Sequence, residues 1–225
     1  MIRVFLICNL LICNILYSQN NREIDPFDKK LQNNIPKGYI VEISIDGKLN
    51  NDSLIDYVLV IRNPEIRDSV FLLVLFQKDS NDFAKNFELN RFVSEYDNHI
   101  EIIDNNVIRI KTITPWNGVN SNSSDIKYID NQWFYIGHTS DCYDPISSWS
   151  NSVDFVTGVY KVKHDVMGKD KKIHTREISG LIDKIGPIPI EEDCSKYMKI
   201  KYNGEVLYAF DRCNLWNYSE EELNK

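Results

Sequence analysis

The chain has 225 residues, of which 26 are Lys or Arg and 33 are Asp or Glu, giving a formal net charge of −7 at pH 7. That acidic balance removes the electrostatic attraction that nucleic acid or an anionic membrane surface would require. The length suits one larger β domain, or a domain with a small appendage, behind a leader.

The N-terminus sets one charge, Arg3, ahead of an apolar run from Val4 to Tyr17 broken only by Asn9 and Asn14. A positive charge, a short apolar stretch and a small residue form the layout of a secretory signal peptide. The run falls short of the roughly 20 apolar residues that cross a bilayer as a helix. Residues 1–18 are therefore expected to be removed after Ser18, leaving an exported chain, periplasmic or secreted, with no transmembrane segment. Leu16 is larger than the small residue favoured three positions before the cut. Lipid attachment at Cys13 is disfavoured by the preceding Ile12. Cys142, Cys194 and Cys213 survive maturation. Export permits disulfides, and an odd count leaves at least one cysteine outside an intrachain pair. Cys194 and Cys213 flank a predicted hairpin and are the expected pair across its open end. Cys142 is expected as a small buried apolar residue.

Residues 19–37 are polar, with a short helix expected over 26–33. Tyr39–Ile45 alternates like a strand, whereas Leu54–Ile61 and Val70–Phe76 are continuous apolar runs of the kind buried on both faces. Phe83–Val93 reads as a helix, and Ser219–Lys225 as a short acidic turn. Three hairpins follow from polar pairs between β-favouring runs. They are 99–103 with 107–113 through Asn105-Asn106, 126–129 with 133–138 through Asn131-Gln132, and 197–202 with 205–210 through Asn203-Gly204. Val153–Val162 reads as one further strand. The charged stretch 164–175 reads as a loop or linker, dividing a main β-rich domain (19–163) from a C-terminal hairpin extension (164–225). The expected fold is mainly β with minor α: an antiparallel sheet or sandwich, or a partial propeller-like sheet, built of hairpins.

One segment carries chemistry. In Lys48-Leu49-Asn50-Asn51-Asp52-Ser53-Leu54-Ile55-Asp56, oxygen side chains at Asn50, Asp52 and Asp56, with the Leu54 carbonyl, are spaced like calcium ligands in a tight loop. Calcium takes six to eight oxygens at about 2.3–2.6 Å. The segment resembles the Asp-Leu-Asn-x-Asp-Gly-x-x-Asp loop of FG-GAP/VCBS-type repeats, with Ile35–Tyr39 before it and Tyr57–Ile61 after it in keeping. The likeness covers residues 35–77 and implies a loop between two strands in a small exported bacterial protein. Lys48 stands where the first carboxylate ligand belongs, and Ser53 replaces the turn glycine. The lysine is expected to fill the cation's place between Asp52 and Asp56, making a structural loop, with calcium and a substitute ligand at Asp46 as the alternative.

His138, Cys142 and Asp144 fall together just beyond a predicted strand. A loop with incidental polar residues is the simpler reading than a Cys/His nucleophile pair. His164 and His174, ten residues apart without further ligands, read as solvated loop histidines. Trp116 and Trp149 stand in loop-like contexts suited to stacking on a sugar, whereas Trp133 opens a strand and reads as core. No phosphate cradle, hydrolase elbow or paired-cysteine zinc pattern is present. The expected function is an exported, non-catalytic binding or structural module for a protein or glycan, without a required cofactor. The alternatives are an enzyme or accessory acting on glycan or cell-envelope material, and an inhibitor or immunity-type protein that blocks a basic partner.

Overall fold

Branched side chains fit a pleated surface better than a helical one, and the apolar runs at 58–61 and 70–75 form the two central strands of a sheet in the computed structural model. The structure describes residues 29–66, 69–79, 82–89, 97–103, 106–115, 119–143, 145–169, 171–183, 185–197, 199–202 and 205–208. The expected signal peptide, Trp116, Asp144, the Asn203-Gly204 turn, Cys213, Trp216 and the acidic tail lie outside them. A four-residue helix α1 (Lys29–Gln32) precedes the first sheet. That sheet runs β1 (Ile40–Gly47), β2 (Asp56–Arg62), β3 (Val70–Gln77), β4 (Phe83–Leu89), each antiparallel to the next. Side chains alternate across a strand. Val58, Val60, Leu72 and Val74 accordingly enter one core, and Leu59, Ile61, Leu73 and Leu75 a second one, which Leu31, Ile35 and Tyr39 help to close.

The second sheet follows the chain without a crossover. It contains β5 (Asp97–Ile103), β6 (Val107–Pro115), β7 (Val119–Ile129), β8 (Gln132–Tyr143), β9 (Ser147–Asp154), β10 (Val159–Met167) and β11 (Ile173–Leu181). The short β12 (Ile188–Pro189) pairs with Phe134 and Tyr135, while the rest of β8 pairs with β9. A separate hairpin, β13 (Lys199–Tyr202) with β14 (Glu205–Tyr208), ends the described chain. Ile108, Ile126, Trp133, Tyr135 and Val162 of the second sheet share the first core with β2 and β3. The fold is thus an antiparallel β sandwich of a four-stranded and an eight-stranded sheet, as expected.

Four local expectations are corrected. Residues 83–89 form a strand, not a helix. Phe83 and Phe87 sit four apart, as on a helix face, but a bulge puts Asn86 out of register and turns the two rings to opposite faces. The segment 153–162 is two strands, because Asp154 Oδ1 accepts the N–H groups of Val156 and Thr157 and Gly158 (φ 73°) completes the turn. The loop or linker expected at 164–175 is mostly strand: β10 runs on to Met167 and β11 begins at Ile173, so the boundary expected at 163/164 falls inside β10. The β7–β8 turn is Asp130-Asn131, one residue earlier than expected. Both residues hold positive φ (48° and 68°), as a type I′ hairpin demands.

Candidate functional site

The 48–56 segment joins β1 to β2, as the resemblance implies, and Asp56 controls it. Asp56 is fully buried, and its carboxylate accepts the N–H of Leu49 at 3.0 Å and of Gln77 at 3.1 Å. Burial raises its pKa above the usual carboxylate range, opposed by those two amides. Asn50 Oδ1 takes the N–H of Asp52, and Asp52 Oδ1 takes the N–H of Leu54. The side-chain oxygens at Asn50, Asp52 and Asp56 therefore each accept backbone N–H groups, which tie the loop together. Among the described residues no group of three or more His, Cys, Asp or Glu converges to hold a metal. Nor does Lys48 fill the cation's place. It is exposed and makes no ion pair with Asp52 or Asp56 among the described contacts, because amides already enclose Asp56.

The same loop forms one wall of an open cleft of about 680 Å³. Asn50 and Asn51 face the tip of the β7–β8 hairpin, which contributes Lys127, Asp130 and Asn131. Phe76 and Tyr128 meet edge-on in its floor, with ring centroids 4.9 Å apart. Trp133 continues this aromatic cluster beneath the floor, stacking on Phe87 and donating its indole N–H to Asn86 Oδ1 at 2.7 Å. Its burial is as expected. The cleft thus sets amide groups, one cation and one carboxylate around an aromatic base held by the core.

A second polar region lies on the inner face of the large sheet, away from the first core. Cross-strand partners share a face. One row therefore reads Asn98, Thr112, Asn122, Ser140, Asn151, and the next brings together Cys142, Trp149, His164 and Arg176. Trp149 is 6% exposed and stacks on His164, 4% exposed, with centroids 3.5 Å apart. Both expectations for these residues are corrected: Trp149 is a buried strand residue, not a loop aromatic, and His164 is not a solvated loop histidine. His174 likewise sits half-buried in β11. Polar residues on both faces of these strands gave them the look of loops.

His138 and Cys142 belong to β8, not to a loop beyond it. They share a face four residues apart, about 13 Å along the strand, so they form no nucleophile pair. Across the β7–β8 ladder Ser124 Oγ lies 2.8 Å from His138 Nδ1, a pairing that no local pattern in the chain signals. Burial drives the His138 pKa down to about 4, against a smaller opposing pull from the Asp125 charge. The imidazole is therefore neutral at pH 7. Its row continues through Val153 and Tyr160 on one side and Ile110 and Ile100 on the other. No carboxylate belongs to that row, so the pair is an interstrand tie where the core meets the polar rows.

The solvent face of the large sheet carries an ion-pair ladder in which Arg109 grips Asp125 through two hydrogen bonds at 2.7 and 2.9 Å. Cys194 is buried at the start of a 3-10 turn, and its expected partner Cys213 lies outside the described residues. Cys142 is only partly buried. Among the described residues no helix is long and apolar enough to cross a membrane. The arrangement defines an antiparallel sandwich with a rim cleft. Comparison with known protein families, with curated proteins and with solved structures finds no match to this chain.

Proposed function

We propose that this chain is an exported, non-catalytic binding module, related to FG-GAP/VCBS-type repeats through its metal-free 48–56 loop, and that its ligand is an uncharged, polyhydroxylated molecule such as a glycan. The observation that supports this reading is the rim cleft. Asn51 offers an amide donor and acceptor, and Asn50 and Asn131, whose Oδ1 atoms already accept hydrogen bonds from Asp52 and Tyr128, add amide N–H donors beside the Phe76–Tyr128 floor. Amides satisfy hydroxyl groups in both directions, and an aromatic surface takes the C–H face of a sugar ring. One lysine and one aspartate balance each other, giving no net preference for a charged ligand. Lipid anchoring at Cys13 is no part of the proposal.

The test is a glycan array followed by calorimetric titration of the best binder. Asn51→Ala removes one wall. Asn131→Gly removes a second amide while keeping the positive φ that the turn needs. Each is expected to weaken binding about fivefold to tenfold, the effect of one lost hydrogen bond. Absence of any binder, or a binder indifferent to both substitutions, rejects the cleft as the site.

A further inference from the structure

Among the described residues, three of the four edges of the two large sheets are interrupted or attended. β1 is broken by a bulge between Val41 and Ile43, the β3–β4 pairing by one between Val74 and Leu75, and β5 lies against β1. The fourth, β11, is different. Its nine residues pair with β10 in unbroken register from Val159↔Leu181 to Met167↔Ile173, without a bulge and without proline. Such an edge invites another strand, and edges are commonly blunted by charge, proline or a bulge.

The ladder fixes which backbone groups face outward. Gly168 N–H donates to Lys172 C=O across the β10–β11 turn, and Ile182 N–H donates to Gly158 C=O at the far end. Hydrogen-bonding direction alternates along an antiparallel strand. Even-numbered residues of β11 thus point their N–H and C=O groups at β10, and Ile173, Thr175, Glu177, Ser179 and Leu181 point theirs to the open edge. All five have exposed side chains on the solvent face. Ile173 is 68% exposed and Leu181 63%, so a large apolar side chain stands open to solvent at each end of this strand.

These five residues form a palindrome in character: apolar, hydroxyl, carboxylate, hydroxyl, apolar. We infer that β11 is a self-association edge, pairing antiparallel with β11 of a second copy of this chain about a two-fold axis at Glu177. In that register Ile173 meets the partner copy's Leu181 and Thr175 meets its Ser179, each pair twice. Five outward residues each exchange both backbone bonds, giving about ten new hydrogen bonds. The two eight-stranded sheets become one continuous sheet. A shift of two residues in one direction sets Arg176 against its own copy, and either shift separates the apolar pairs. The one unfavourable contact is Glu177 opposite Glu177, partly relieved by Lys163, its cross-strand neighbour on β10. Like charges directly opposed weaken a pairing without forbidding it.

Sedimentation equilibrium on the mature chain, from micromolar to near-millimolar concentration, tests the assignment. The wild type is expected to show a monomer–dimer equilibrium. The double variant Ile173→Lys/Leu181→Lys, altering only exposed side chains, is expected to remain monomeric with an unchanged circular dichroism spectrum. Glu177→Gln removes the opposed charges and should lower the dimer Kd about twofold to fivefold. Should the double variant fail to fold, Ser179→Pro deletes an outward N–H while leaving the β10 ladder intact, and should abolish the dimer. A chain that stays monomeric throughout, or a dimer unmoved by these substitutions, overturns the inference. So does a monomer that instead captures an extended peptide of another protein.

Discussion

The largely desolvated imidazole of the half-buried His138 makes the stability of this protein depend on pH in a calculable way. Its folded-state pKa is about 4 against an ordinary value of 6.5. Between those values the unfolded chain takes up a proton that the folded chain refuses, so stability falls as pH falls through the window. Above 6.5 neither state binds the proton, and the contribution is flat. Linkage over the full gap of roughly 2.5 units amounts to about 3 kcal/mol, of which about 2 kcal/mol is already lost by pH 5. For a domain of this size that is a sizeable fraction of a total stability of about 5–15 kcal/mol. The perturbation is His138→Gln, which keeps an acceptor near Ser124 Oγ and does not titrate. Urea unfolding at pH 7, 6, 5 and 4 gives the free energy of each protein, and the acid response of every other group cancels in the difference. The wild type should lose about 2–3 kcal/mol more than the variant between pH 7 and pH 4. Parallel curves would refute the assignment of a desolvated, neutral imidazole at this position.

Asp56→Asn replaces an acceptor of two backbone amides with a group that presents an N–H to one of them, and should cost about 1–3 kcal/mol in urea unfolding at pH 7. Calcium at millimolar concentration should leave Tm unchanged, because any binding to the folded state would raise it. A clear rise would show that the 48–56 oxygens exchange their amides for metal. Gly180→Ala sets a Cβ 2.8 Å from the buried Tyr160 ring and should destabilise by about 1–3 kcal/mol. Gly47→Ala meets only the Cδ1 of Ile102 at the same distance, the free end of a side chain that can rotate, and should cost less than about 1 kcal/mol.

How much of this was legible depends on whether a strand's faces differ in polarity. β2 and β3 are apolar on both faces because each core takes one set of their side chains, and the runs at 58–61 and 70–75 announce that directly. The β7–β8 hairpin was visible from its polar turn, misplaced by one residue because Asp130 and Asn131 are both competent for positive φ and nothing in the local pattern ranks Asn131-Gln132 below them. The strand at 83–89 was hidden by its bulge. A single extra residue, Asn86, breaks period 2 and leaves a phenylalanine spacing that imitates a helix.

The site was harder to read for a different reason. In β9 and β10 the outward residues are Ser, Lys and Asp apart from Val159 and Met167 at the ends of β10, and the inward ones include Asn151 and His164 as well as Val153 and Val162. Where the apolar core gives way to polar rows, alternation of hydrophobicity vanishes although alternation of the backbone continues, so a sequence reading sees a loop. Ser124 could not have been paired with His138 from the chain alone, since fourteen residues and a bulge between Asp125 and Ile126 fix that register. The oxygens of the 48–56 loop show the converse. Their spacing was visible and their place between two strands was right, but spacing does not say what an oxygen accepts from. Asp56 is buried at the join of β1, β2 and β3, where the amides of Leu49 and Gln77 need a partner, and an unmet buried amide costs about 1–3 kcal/mol. A metal ion bound at these oxygens would have to compete with that demand.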